Sequence, residues 1–468
     1  MCGALLRKHV ISSPHLNSSS KSIRRLGMFS SRYQPIVVIG VSLFLAVRLL
    51  SQISRYAVNI FYSDQWDFND ATLFQSHSLW EMFRWQHGPH RQGLGALFSK
   101  LLEPHFRWNS RVEAFLATAI VVAAAVCALY LKTRLWGCLS LSDIAIPLIF
   151  FTPAQYENLW VTPNFSHGPF PLLLVVLFCL ALTCEHAATR YSLALAVNLL
   201  AIYTGFALFL GFITPLWLLL DYFLQRNASP RSNILVALGV SLFSLGSFFA
   251  GYAFTSSVDC FSLRPRSLVD YVVFVNLMLA HFVGARGSRF FVSIPLGGAI
   301  LVAMMVVPLG FAKQLKRSKN YVVKELIPVI LVTFCLIFCV SNAYGRTCMG
   351  RGAAFASRYT EYVEIGLLGL YLQALGMRSE WTRRIFSGLV VTALLVGSLA
   401  IPAADQYAMQ YFHNVKANWR SCYIKIENIH QCDQLAGLGV FSFPERTKLK
   451  EKLDYLKRTK QNLYSDLN

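Results

Sequence analysis

Charged residues are scarce in this chain of 468 residues. Asp, Glu, Lys and Arg together make up 14% of it, against the roughly 25% that is usual in soluble domains. Acidic residues are the rarer kind, 23 against 43 Lys and Arg, and the net charge is +20. Uncharged windows of about 18–20 residues recur, each long enough to cross a hydrocarbon core of roughly 30 Å. The scarcity of charge and the long uncharged windows exclude a soluble fold and predict an integral membrane protein.

Several familiar chemical signatures are also missing. The chain has 11 cysteines but no C-x-x-C pair and no Cys/His spacing typical of a metal site. It contains no P-loop and no Rossmann fingerprint, so no nucleotide-binding domain is predicted. Its basic residues lie in short segments beside apolar spans, as the orientation rule for membrane proteins predicts. Nucleic acid is therefore not expected as a partner.

The basic residues of positions 1–35 set the expected orientation. This segment contains six Lys and Arg residues and no acid, so it is expected to stay in the cytoplasm beside an uncleaved first span at 36–53. The later basic clusters fall on the same side only if the apolar segment 269–284 does not cross, and we interpret that segment as re-entrant or interfacial. The predicted fold class is all-α integral membrane: a polytopic helical bundle of about 11 transmembrane helices over 36–402.

Three sizeable segments are expected to face outward under this topology: 54–111, 342–360 and the small C-terminal tail 403–468. The tail contains Cys422 and Cys432. In an oxidising periplasm these two form a disulfide, and the alternative is a pair of free thiols. No internal repeat is apparent, so the inverted repeats common in transporters are not predicted.

The first outward loop carries the first candidate chemistry. Asp64 and Asp67, beside the membrane surface, are suited to binding a divalent cation (Mg²⁺ or Mn²⁺) or to acting as a general base; the alternative is a solvated loop. Two short amphipathic juxtamembrane helices are predicted to follow, the first started by an S-x-x-E capping box. His90 and Arg91 begin the second, which runs to about residue 103. Arg91 is suited to holding a phosphate, and His90 to donating a proton or capping the turn.

Two later segments carry further candidates. Four residues with polar groups lie at the outer end of the third span: Gln155, Glu157, Asn158 and Trp160. They either form hydrogen bonds at helix ends or line a sugar site, in which Trp160 stacks on a sugar ring. Arginines with interleaved glycines then occupy one outward loop, where guanidinium groups and backbone N–H groups suit a phosphate or pyrophosphate. They are Arg346, Arg351 and Arg358, followed by Tyr359. The alternative for this loop is a set of lipid-headgroup anchors.

Together these motifs resemble the polytopic membrane glycosyltransferases of the C-type (GT-C) fold, which include the protein mannosyltransferases, the aminoarabinose transferases and many bacterial relatives. The resemblance implies a bacterial inner-membrane enzyme with a cytoplasmic N-terminus and a periplasmic C-terminus. Its donor is a sugar on a polyprenyl phosphate, and its acceptor is a lipid or glycan of the cell envelope. The matching residues are Asp64, Gln65, Trp66, Asp67, His90, Arg91, Gln155, Glu157, Asn158, Trp160, Gly345, Arg346, Ser357, Arg358 and Tyr359.

The resemblance also implies roles for these residues. The arginines and Tyr359 hold the departing lipid phosphate, and Asp64 or Asp67 deprotonates the acceptor, which gives transfer with inversion. The chain has D-Q-W-D where better-known members have adjacent or D-x-D carboxylates, and no large outward domain follows its last span; this leaves the metal, the base and the acceptor open. The alternatives are a transporter or flippase for lipid-linked glycans, an oligosaccharide polymerase or ligase, and a purely structural membrane protein.

Overall fold

The computed structural model describes residues 18–75, 77–224, 230–255, 260, 267–285, 290–399, 403–441 and 448–466. Helices dominate this part of the chain, and its only strands form one short hairpin, β1 Gln86–His87 with β2 His90–Arg91. The helices are α1 Ser18–Tyr56, α2 Gln65–Asn69, α3 Leu79–Phe83, α4 Gly93–Leu102, α5 Ser110–Trp136, α6 Ala145–Phe150, α7 Pro169–Leu182, α8 Ala187–Ile202, α9 Leu208–Leu224, α10 Arg231–Phe249, α11 Leu268–Phe282, α12 Phe290–Ser318, α13 Val323–Arg346, α14 Thr360–Leu375, α15 Glu380–Leu399, α16 Ala403–Ile426, α17 Ile429–Ala436 and α18 Leu449–Thr459.

Six helices of the described chain are long and apolar enough to cross a membrane. They are Tyr33–Tyr56, Ser110–Trp136, Gly205–Leu224, Arg231–Phe249, Phe290–Ser318 and Val323–Met349. Four shorter apolar helices accompany them: Leu141–Gln155, Pro169–Leu182, Ala187–Ile202 and Leu268–Phe282. The all-α, multi-pass membrane fold is confirmed, whereas the expected count of about 11 spans is not. One reason is visible at the predicted third span, 142–155, where the helix ends at Phe150 and only a short turn, Pro153–Gln155, follows.

Residues near both ends of helix α11 contact residues at or after the end of α13. Near its start, Tyr271 stacks on Tyr344 in the last turn of α13, with ring centroids 6.3 Å apart. At its end, His281 packs edge-on against Phe355, which follows α13, at 6.1 Å. These contacts support the interpretation of 269–284 as a segment that does not cross.

After α2, the first outward loop continues as two short helices, α3 and α4, separated by a hairpin. Ser78 and Glu81 form the predicted capping box: the Glu81 N–H donates to Ser78 Oγ at 3.2 Å, and the Ser78 N–H donates to Glu81 Oε2 at 2.8 Å. The second predicted helix begins later than expected, because Gly88 adopts a φ of +56° and turns the chain into the hairpin. His90 and Arg91 therefore lie on β2, and α4 begins only at residue 93.

The C-terminal segment packs against this first loop. Lys452 pairs with Asp70 at 2.9 Å, and Val440 O accepts a hydrogen bond from the backbone of Ser63 at 2.8 Å. Asn462 is fully buried between the loop and the tail. The tail therefore fixes the position of the loop that carries Asp64.

Two disulfides tie the outward segments. The predicted bond between Cys422 and Cys432 is confirmed and joins α16 to α17. A second bond, between Cys260 and Cys348, was not predicted; it links the segment after α10 to the segment after α13. Both cross-links lie in segments that the predicted topology assigns to the outward side, as expected if that side is oxidising.

Candidate functional site

A cavity of about 270 Å³ opens at the end of the bundle that carries the first loop. Three segments far apart in the chain supply most of its polar lining. The first loop contributes Asp64, His87, His90 and Gln92; the connection between α6 and α7 contributes Glu157, Asn158, Asn164 and His167; and the region at and after the end of α13 contributes Arg346, Arg358 and Tyr359. Most of the candidate motifs therefore converge.

The best-defined charge pair of the cavity joins Arg358 to Glu157. Arg358 Nη1 lies 3.3 Å from Glu157 Oε1, and the backbone N–H of Arg358 donates to Glu157 Oε2 at 3.3 Å. The Glu157 backbone N–H in turn donates to Ser357 Oγ at 3.1 Å. The Glu157 carboxylate raises the pKa of Arg358, and burial opposes it. Arg358 is thus a permanent, fixed cation.

Asp64 and Arg346 complete the charged rim. Arg346 is the last residue of α13, and Asp64 is the exposed N-cap residue of the short helix α2. The Asp64 carboxylate is close enough to act electrostatically on both Arg346 and Arg358. An anionic group that enters the cavity therefore meets two guanidinium groups with a carboxylate beside them.

Two histidines and Phe206 form the uncharged side of the cavity. The rings of His90 and His167 are 5.8 Å apart at their centroids, and Phe206 packs edge-on against both, at 4.2 and 5.5 Å. Burial lowers the pKa of His90 well below its usual range, and the His167 ring reinforces the shift. Burial, followed by the charge of Arg358, lowers the pKa of His167 to about 4. Both rings are neutral at pH 7, and each offers one donor and one acceptor.

Asn158, at the cavity wall, is hydrogen-bonded to Glu361, which is buried behind it. Asn158 Nδ2 donates to Glu361 Oε2 at 3.1 Å and also reaches the carbonyl oxygens of His167 and Arg358. Gly168 makes the arrangement possible, because a Cβ at that position would lie 2.6 Å from Glu361 Oε1 and 2.9 Å from Asn158 Nδ2. The amide of Asn158 thus ties the cavity wall to α14.

Arg91 and Arg351 do not line the cavity. The Arg91 guanidinium donates to the carbonyl oxygens of Phe248 and Ala250, each at 2.8 Å, and to that of Arg84. It anchors the hairpin to the end of α10, and these bonds engage each of its side-chain nitrogens, so Arg91 lies apart from the two arginines that line the cavity. Arg351 lies exposed in the turn after α13. Of the three predicted loop arginines, the cavity holds Arg346 and Arg358.

Gln155 and Trp160 are buried beneath the site. Trp160 is 1% exposed and packs against Tyr56, with ring centroids 6.4 Å apart. Gln155 is fully buried, and its amide donates to the carbonyl oxygen of Phe150 at 2.6 Å. Neither residue lines the cavity, so the expectation that Trp160 stacks on a sugar ring is not met. Of this motif, Glu157 and Asn158 reach the site.

Asp67 lies one turn along α2 from Asp64 and outside the cavity lining. Burial raises the pKa of Asp67, while His87 and Lys452 oppose the shift. Asp64 lines the cavity and Asp67 does not, so the two carboxylates are not both directed at it, and the divalent cation stays a prediction. Within the described ranges, no three His, Cys, Asp or Glu side chains cluster as metal ligands.

The lining residues that were not predicted include His87, Gln92, Asn164 and His167. The last two belong to Asn164-Phe165-Ser166-His167-Gly168, a polar stretch between two apolar segments. Asn164 caps its short turn by accepting from the Ser166 N–H at 2.9 Å. A cap residue followed by His-Gly in an outward connection was the signal available in the sequence.

Comparisons with protein-family models, with curated proteins and with solved structures found no match. A fold class alone does not identify an activity.

Proposed function

We propose that this protein is a membrane glycosyltransferase that moves a sugar from a polyprenyl-phosphate donor to a cell-envelope acceptor. The observation that carries the proposal is the convergence of Asp64, Arg346 and Arg358 on one cavity at the end of a membrane helical bundle. The cavity combines groups that suit an anion with hydrogen-bonding groups that suit a polyol. A donor within the bilayer reaches such a site while its lipid tail stays in the membrane.

The two arginines hold the phosphate of the donor. Guanidinium groups bind phosphate oxygens bidentately, and Glu157 keeps Arg358 oriented through the 3.3 Å ion pair. Negative charge develops on this phosphate as its bond to the sugar breaks. A well-placed donor to such a developing charge contributes on the order of 2.7–4 kcal/mol to the barrier reduction.

Asp64 serves as the general base. Its carboxylate takes the proton of the acceptor hydroxyl as that oxygen attacks the sugar C1 from the face opposite the phosphate. The bond between C1 and the phosphate oxygen breaks with its electron pair leaving on the phosphate, so the configuration at C1 inverts. His90, His167 and Asn158 supply neutral hydrogen-bonding groups for the sugar hydroxyls.

Paired substitutions test this assignment. Asp64→Asn is compared with Asp67→Asn, and Arg346→Ala with Arg351→Ala. Each control variant removes the same charge as its cavity variant, at a residue that does not line the cavity. Purified proteins in detergent receive radiolabelled synthetic polyprenyl-monophosphate sugars and an envelope glycolipid extract, and release of polyprenyl phosphate is measured. Turnover is expected to fall on the order of 100-fold or more in the two cavity variants and to stay close to wild type in the controls. Equal activity within each pair refutes the proposal.

One observation favours a second candidate, a transporter or flippase for lipid-linked sugars. Glu361 and Glu364 are both fully buried in α14, and neither carboxylate oxygen of Glu364 has a hydrogen-bond partner in the described structure. Buried carboxylates inside membrane bundles often mark proton pathways. In proteoliposomes, a transporter moves the labelled lipid across the bilayer without altering it, and Glu364→Gln abolishes that movement; chemical conversion of the donor supports the enzyme instead.

A further inference from the structure

A pair of adjoining cavities lies at the end of the bundle opposite the candidate site. Helix α5 separates the two ends: its first turn lies beside the first loop, and its 27 residues extend about 40 Å at 1.5 Å per residue. Trp136, its last residue, lines both cavities, whose volumes are about 580 and 600 Å³. The turn between α14 and α15 lies between them.

Basic side chains rim these two cavities. Arg383 and Arg384 line the first, and Lys324 and Arg378 line the second together with one carboxylate, Glu325, which accepts a hydrogen bond from Gln314 at 2.7 Å. Arg384 is paired with Glu380 on its own helix at 2.6 Å. In the part of the chain that the structure describes, Lys324, Arg378 and Arg383 form no ion pair. The rim therefore presents cations to whatever occupies the cavities.

The walls behind this rim are apolar and belong to membrane helices. They include Leu375 and Val391 in the first cavity and Val306, Phe311 and Phe386 in the second. A basic rim above an apolar wall is complementary to a phosphate group that carries acyl chains.

We propose that this double cavity binds an anionic membrane phospholipid, with its phosphate between Arg378 and Arg383 and its acyl chains along α12 and α15. Trp136 sits at the level of the headgroup, where tryptophans of membrane proteins concentrate. Basic pockets between membrane helices bind anionic headgroups for the same reasons of charge and geometry. The site lies a membrane thickness from Asp64 and is independent of the proposed activity.

The test compares two double variants that remove the same charge. Arg378→Ala/Arg383→Ala removes the rim, and Lys313→Ala/Arg317→Ala removes two exposed cations from the last turns of α12 that line neither cavity. Purified full-length protein is melted in detergent with added phosphatidylglycerol, phosphatidylcholine or glycerol phosphate. Native mass spectrometry counts the phosphatidylglycerol retained by each protein.

Phosphatidylglycerol is expected to raise the melting temperature of the wild type and of the α12 variant by a few degrees and to stay bound to both. The rim variant is expected to lose the shift and the bound lipid while melting as the wild type does in phosphatidylcholine. An equal shift with phosphatidylcholine, the same shift with glycerol phosphate alone, or undiminished binding to the rim variant overturns the proposal.

Discussion

Replacing Asn462 with alanine is expected to loosen the attachment of the C-terminal segment to the first loop. Asn462 is fully buried, and its side chain makes three hydrogen bonds across this contact. The amide donates to the Trp108 carbonyl at 2.7 Å and to Ser110 Oγ at 3.1 Å, and Oδ1 accepts from the Phe61 N–H at 3.1 Å. At about 0.5–1.5 kcal/mol per bond, the loss amounts to about 1.5–4.5 kcal/mol.

The backbone of Asn462 adds a second, separable effect. Its φ is +47°, a left-handed conformation that costs most side chains roughly 1–2 kcal/mol but costs glycine little. Asn462→Gly loses the same three hydrogen bonds without that strain, so it is expected to be the milder variant by roughly 1 kcal/mol. The order of the two variants therefore separates the hydrogen bonds from the strain.

Unfolding by sodium dodecyl sulfate in mixed micelles measures these differences. Asn414→Ala is the control, because Asn414 is exposed and accepts one bond, from Gln410 at 3.0 Å. Hydrogen exchange at residues 59–64 is expected to rise in both Asn462 variants, since Phe61 loses its acceptor. Wild-type stability of Asn462→Ala, or greater damage from glycine than from alanine, refutes the reasoning.

Three further predictions concern Lys416, Gly168 and the disulfide between Cys260 and Cys348. Burial lowers the pKa of Lys416 to about 7, so between pH 7 and 10.5 the unfolded chain binds a proton that the folded chain does not. The free energy of unfolding of the wild type is therefore expected to rise between pH 7 and pH 9, and Lys416→Met is expected to remove this rise. Gly168→Ala places a Cβ 2.6 Å from a buried glutamate oxygen and is expected to lower the melting temperature, whereas Gly239→Ala, with open space around it, is not. Maleimide is expected to label Cys260 and Cys348 only after reduction, and labelling of either without reduction contradicts the disulfide.

Composition and charge were enough to predict that the chain lies in a membrane and that its outward segments lie on the same side of it. Long uncharged runs require a membrane, and basic clusters on one side assign the segments with Asp64 and Arg358 to the other. Capping at Ser78 and Glu81 was also predictable, because the motif acts within one helical turn. These features depend on residues that are near in the sequence or on sums over many residues.

The orientation of individual side chains was not predictable in the same way. Arg91 was assigned to phosphate by its neighbours in the sequence, yet its partners are carbonyl groups at residues 248 and 250. Trp160 is turned under the site by Tyr56, a residue about a hundred positions earlier. A guanidinium or indole group takes whichever partner the fold brings near, and no motif spacing carries that information.

The charges that line the cavity bear on the chemical link of the donor. The positive charges of Arg346 and Arg358 balance the negative charges of Asp64 and Glu157 in the cavity lining. A bound polyprenyl-monophosphate sugar therefore gives the site one net negative charge, and a diphosphate-linked sugar gives it at least two. Uncompensated charge is costly in a site of low dielectric, and we predict that the monophosphate donor is preferred. Sugar transfer leaves the total charge of the site and its ligands unchanged. Asp64 loses one negative charge when it takes the proton of the acceptor, and the released phosphate gains one. Turnover of the same sugar on polyprenyl monophosphate and on polyprenyl diphosphate measures the preference, and faster release from the diphosphate would instead favour a polymerase or ligase.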